Sequence, residues 1–67
     1  MSGMDTRLES AETAADMAVA AEGHGDYSRA EVLFRNAGEL FREARDYGSA
    51  TEMRTRARTA SVAATHR

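Results

Sequence analysis

Between Tyr27 and Tyr47 the chain reads as three successive sevens, YSRAEVL, FRNAGEL and FREARDY. Three columns run through them: Tyr27/Phe34/Phe41, Ala30/Ala37/Ala44 and Leu33/Leu40/Tyr47. On a helix that advances about 100° per residue, these columns merge into one broad apolar stripe with polar residues opposite. All four aromatic residues of the protein lie in this stretch. It is therefore the central helix, about 27–44, on which everything else must pack.

A chain of 67 residues makes one domain. At that size it buries only about 60% of the surface its unfolded form exposes. No cysteine is available for a disulfide, and only His24 and His66 could serve a metal, so neither metal, cofactor nor small-molecule substrate is expected. Helix packing, self-association or a partner must supply the stability. Proline and isoleucine are absent while Ala, Glu and Arg abound, which favours helix throughout. The expected fold is all-α, a three-helix antiparallel bundle.

No apolar run approaches the roughly 20 residues that span a bilayer, and MSGMDTRLES lacks the basic head and apolar core of a signal peptide. These features predict a cytoplasmic protein that makes no use of a membrane. The net charge of −2 gives nucleic acid no bulk attraction. Charge is nevertheless uneven along the chain. Residues 1–26 hold six acids and one Arg, whereas residues 47–67 hold one acid and four Arg.

Residues 1–3 read as a disordered or appended start. Asp5 or Thr6 is the expected cap of a first helix over about 5–22. Its apolar side is Met4, Leu8, Ala11, Ala14, Ala15, Met17, Ala18, Val19 and Ala21, while Asp5, Glu9, Glu12 and Asp16 line the other. Gly23-His24-Gly25 should close it, with Asp26 capping the central helix. So short a link predicts an αα-hairpin. On the central helix Glu31–Arg35 and Arg35–Glu39 are opposite charges four apart. Gly38 inside it implies room made for a close neighbour. Asp46 or Ser49 should cap a third helix, about 49–62, that turns Tyr47 or Ala50, Met53, Ala57, Ala60 and Ala64 inward. Its threonines are weak helix formers, so fraying past Ala60 is expected.

Asp26-Tyr27-Ser28-Arg29-Ala30 and Asp46-Tyr47-Gly48-Ser49-Ala50 share Asp-Tyr-x-x-Ala 20 residues apart, the mark of stacked helical units. Gly25-Asp26-Tyr27-x-x-Ala30-x-x-x-Phe34-x-x-Ala37 resembles the second helix of a tetratricopeptide repeat. Glu39-Leu40-Phe41-Arg42-Glu43, followed by Asp46-x-Gly48-x-Ala50, resembles the longer-period variants of actinobacterial regulators. The likeness covers about residues 14–50 and implies a helical hairpin plus one helix, about one and a half repeats, with a protein-binding role. The Gly-x-Tyr-x-x-Ala spacing is also similar to that of three-helix microtubule-interacting-and-transport domains.

No nucleophile elbow, phosphate loop or zinc spacing occurs, and no enzymatic activity is expected. The first functional expectation is a small protein–protein interaction module, an adaptor or regulatory subunit, working through an apolar groove on the central helix and self-associating. Its candidate contact residues are the aromatics Tyr27, Phe34, Phe41 and Tyr47, the acidic row Asp5, Glu9, Glu12 and Asp16, and the basic pair Arg54 and Arg58. Each has a plainer reading. The aromatic columns at heptad spacing are the signature of a core, and the acidic row that of a solvated face. Arg54 and Arg58 could pair with Asp5, Glu9 or Glu12 within one molecule or between molecules. The alternative function is a nucleic-acid-associated regulator that uses the Arg-rich third helix.

Overall fold

The computed structural model describes residues 3–66, with side chains from 6 to 66. Three helices follow one another: α1 Gly3–Gly23, α2 Tyr27–Glu43 and α3 Tyr47–Thr65. The all-α expectation is met, and among the described residues there is no strand. α2 packs against both α1 and α3, which barely touch each other. The result is an elongated body of 44 × 18 × 12 Å in which the middle helix is shared.

The two turns that make this arrangement are built alike. Asp26 caps α2 by accepting a hydrogen bond from the Arg29 backbone N–H at 3.3 Å, and Asp46 caps α3 by accepting one from that of Ser49 at 3.2 Å. The Ser49 hydroxyl adds a bond to Asp46 at 2.8 Å. Upstream, the Asp26 and Asp46 amides donate to the Ala21 and Phe41 carbonyls at 2.9 and 2.8 Å, and the Gly25 and Arg45 amides donate to those of Glu22 and Arg42. This paired pattern is the Schellman closure, which needs a left-handed residue just past the helix end. Gly25 takes that conformation at φ 78° and Arg45 at φ 66°. The Asp-Tyr-x-x-Ala repeat is thus one structural turn written twice.

The helix boundaries depart from expectation at three points. α1 has begun by Gly3, so neither Asp5 nor Thr6 is its cap; the expectation for residues 1 and 2 lies outside the described residues. α3 opens at Tyr47 instead of near residue 49, because Asp46 is the cap. It then runs on to Thr65, well past Ala60. Its threonines fit into the helix by back-bonding: the hydroxyls of Thr55, Thr59 and Thr65 donate to the carbonyls of Thr51, Thr55 and Ser61, four residues earlier. The Ala44 expected at the end of α2 is its C-cap.

The core is made almost entirely of small residues around one large one. Among the described residues Phe34 is the only large side chain that is fully buried. Ala11, Ala18, Ala30, Ala37 and Ala60 are sealed around it, with Phe41 and Met53 nearly so. Alanine on facing helices lets backbones approach but buries little area, so Phe34 supplies a large share of the apolar packing. Gly38 extends this logic to the α2–α3 seam. A Cβ there would stand 3.4 Å from the Ala50 carbonyl oxygen and 3.5 Å from the Met53 Cβ.

Candidate functional site

The close seam at Gly38 leaves a groove on its outer side. Its floor is Gly38, Ala50 and Ala57, all small and buried, and its volume is ≈ 530 Å³. The walls are long side chains: Arg35 and Arg42 from α2, Arg54 and Arg58 from α3. Arg35 and Arg42 are seven residues apart and Arg54 and Arg58 four apart, so each pair stands on one face of its helix. Because α3 runs so near Gly38, these two faces meet. The Arg54 stem shows how close they come, since its Cγ lies 3.4 Å from where a Gly38 Cβ would be.

Four arginines therefore line one depression, with Glu39 as the one acidic residue of the lining. Arginine remains charged at any physiological pH and presents its donors in a planar fork suited to carboxylate or phosphate. Arg35 is engaged by Glu31 at 2.6 Å, not by Glu39. Arg42, Arg54 and Arg58 make no ion pair among the described residues. At one end of the groove stands Tyr47, 60% exposed.

Comparison of the chain with family models, with curated proteins and with solved structures finds no match. The groove must be read from its own chemistry.

The sequence-derived candidates fall into three groups. Phe34 and Phe41 are core and offer little or nothing to a partner, and Tyr27, the first residue of α2, is half-buried. α1 and α3 seal Phe34 and Ala37 of the apolar stripe of α2 and leave Leu33 and Leu40 partly buried. Tyr47 leaves the stripe altogether. The Asp46 cap starts a new helix between Phe41 and Tyr47, so the heptad register does not carry across.

Among the described side chains, the charged candidates are all on the surface. Glu9, Glu12 and Asp16 are exposed along α1, while the Asp5 side chain lies outside the described residues. Among the described residues no ion pair joins them to Arg54 or Arg58, because α2 stands between α1 and α3. The intramolecular pairing is thereby excluded for Glu9 and Glu12. Arg54 and Arg58 do converge on the groove, whereas Arg56 turns the other way, its guanidinium carbon 5.9 Å from the Phe34 ring centroid.

Arg35 and Arg42 are not among the residues that the sequence marks as contacts. Their spacing of seven on either side of Gly38 was the available signal. A shallower depression of ≈ 450 Å³ lies on the α1 side of α2, with Ala14, Met17, Leu33 and Leu40 among its lining. No three His, Asp or Glu side chains gather as a metal site among the described residues. Among the described residues no helix is long and apolar enough to cross a membrane.

Proposed function

We propose that this protein is a small, non-enzymatic protein–protein interaction module, an adaptor or regulatory subunit, whose α2–α3 groove receives a helix bearing carboxylates. The carrying observation is the convergence of Arg35, Arg42, Arg54 and Arg58 on one groove whose lining holds one acidic residue, Glu39, while Glu31 engages Arg35 from outside it. The expected apolar groove is replaced in this reading by an arginine-walled one with a small-residue floor. The floor suits the close approach of a helix, and the walls select its charge. The twice-written turn supports a tetratricopeptide-like arrangement of the kind found in actinobacterial regulators, with α1–α2 as one hairpin and α3 opening the next. A cytoplasmic setting goes with the proposal, since a chain without cysteine gains nothing from an oxidising compartment.

The test is a titration with a designed helical peptide carrying Glu at positions i, i+3 and i+7, followed through backbone amide shifts. Shifts should concentrate at residues 35–42 and 47–61 and disappear in Arg54→Glu/Arg58→Glu. Shifts spread evenly over the surface, or none at low salt, would remove the proposal.

The same four arginines favour one second reading, the nucleic-acid-associated regulator. Phosphate would take the place of carboxylate, and binding would fall steeply as salt rises. The net charge of −2 and Glu39 within the groove weigh toward a protein partner.

A further inference from the structure

Two faces of this molecule carry exposed charges of opposite sign that match each other, and of the groove arginines only Arg35 is already engaged among the described residues, by Glu31. On α1, Glu9, Glu12 and Asp16 are exposed at spacings of three and four, and Val19, 48% exposed, continues the same ridge three residues on. On the α2–α3 groove the arginines are spaced seven on one wall and four on the other. At 1.5 Å of rise per residue, Glu9 to Asp16 and Arg35 to Arg42 each span about 10.5 Å, and Glu12 to Asp16 and Arg54 to Arg58 each span about 6 Å. α2 separates the two faces within one molecule, so they can meet only between molecules.

We propose that the groove's occupant is the acidic α1 ridge of a second copy of this chain; the proposal rests on the groove reading above. One register satisfies every group. With the incoming α1 antiparallel to α3, Val19 sits over the exposed ring of Tyr47, Asp16 reaches Arg42, Glu12 reaches Arg54, and Glu9 falls between Arg35 and Arg58. Reversing the direction still pairs charges but brings Asp16 to Arg35 and leaves Val19 and Tyr47 without each other. Since the pairs are solvent-accessible, the association is weak and salt-sensitive.

Charge exchange between two variants of the full chain tests this. Arg54→Glu/Arg58→Glu destroys the groove and leaves the ridge, whereas Glu9→Arg/Asp16→Arg destroys the ridge and leaves the groove. All four side chains are exposed, and helicity by circular dichroism qualifies each variant. By sedimentation equilibrium at low salt, the wild type should associate and each variant alone should lose roughly tenfold or more in association constant. An equimolar mixture should recover it, because each variant supplies what the other lacks. The pair Arg42→Glu with Asp16→Arg repeats the exchange at a single contact and fixes the direction, since recovery there requires Asp16 opposite Arg42.

A wild type that stays monomeric, or a mixture that stays as dissociated as its components, overturns the self-docking. If the designed acidic peptide still occupies the groove in that case, the groove reading survives alone; if the peptide fails too, both fall. Uptake of a fluorescent single-stranded oligonucleotide by a monomeric wild type would also overturn it.

Discussion

Gly25 and Arg45 occupy the same left-handed position in two turns 20 residues apart, at φ 78° and 66°. The backbone hydrogen bonds that close the two turns are equivalent, so at this position the difference is one of side chain. A left-handed conformation brings Cβ close to the following carbonyl, at about 1 kcal/mol or more for a non-glycine residue.

Arg45→Gly should therefore stabilise the protein, even though glycine is more flexible in the unfolded chain. The expected gain is about 0.5–1 kcal/mol, which raises Tm by several degrees in a domain this small. Gly25→Ala should cost about 1 kcal/mol by the same argument run in reverse. Thermal melts of both variants against the wild type are the measurement. Equal and opposite shifts are not required, but shifts of the same sign would show that the two turns are not alike.

Gly38 separates two effects that usually oppose each other at a buried helix position. Alanine is the better helix former by about 1 kcal/mol. Its methyl would meet Ala50 and Met53 at ordinary van der Waals separation, 3.4–3.5 Å. Gly38→Ala is therefore expected to raise the denaturation midpoint, while Gly38→Leu should lower it by forcing α3 away, a typical overpacking cost of about 1–3 kcal/mol. The leucine variant should also close the groove to any partner. A Gly38→Ala variant less stable than the wild type would mean that the helices are already in contact at their limit.

Much of this was written locally and could be read locally. The Phe34 and Ala37 columns repeat every seven residues, and the Asp26 and Asp46 caps carry a recognisable side chain beside a recognisable turn. The helix ends were harder. Arg45 gives no sign of a left-handed backbone, because arginine seldom adopts one and its turn is imposed by the Asp46 cap and the packing of Phe41. α3 runs past its expected end, with Ala60 sealed in the core and the threonine hydroxyls accommodated on carbonyls four residues earlier, and propensity alone does not express that packing. The groove was the least legible feature. Arg35 and Arg42 belong to one helix and Arg54 and Arg58 to another, and only the α2–α3 crossing at Gly38 makes them a single surface.

Arg56 has a role distinct from its neighbours Arg54 and Arg58. Its guanidinium stands 5.9 Å from the Phe34 ring centroid, and it also meets Glu52 at 3.7 Å. The exposed Glu52 pair contributes a few tenths of a kcal/mol, whereas the cation–π contact and the apolar stem that shields the ring contribute about 1 kcal/mol together. Arg56→Ala should thus destabilise the protein clearly more than Glu52→Ala, and Arg56→Lys should recover part of the difference. Urea denaturation of the three variants decides it. If Glu52→Ala costs as much as Arg56→Ala, the ion pair and not the aromatic contact accounts for the effect.

Phe34 is where the thin alanine core has the least reserve. A domain of 67 residues has a stability of about 3–10 kcal/mol at typical values per residue. Removing a buried phenylalanine ring costs about 3–5 kcal/mol, through lost transfer energy and the cavity left behind. Phe34→Ala should therefore leave the chain partly or wholly unfolded at 25 °C, while Phe34→Leu, which fills most of the volume, should retain a cooperative transition at a lower midpoint. Tyr47→Ala is the control. Its ring is 60% exposed, so its loss should move the midpoint little, although the same residue closes the Leu33/Leu40/Tyr47 column of the heptads. A Tyr47→Ala variant as damaged as Phe34→Ala would show that the third heptad continues into the core and that α3 does not begin where Asp46 caps it.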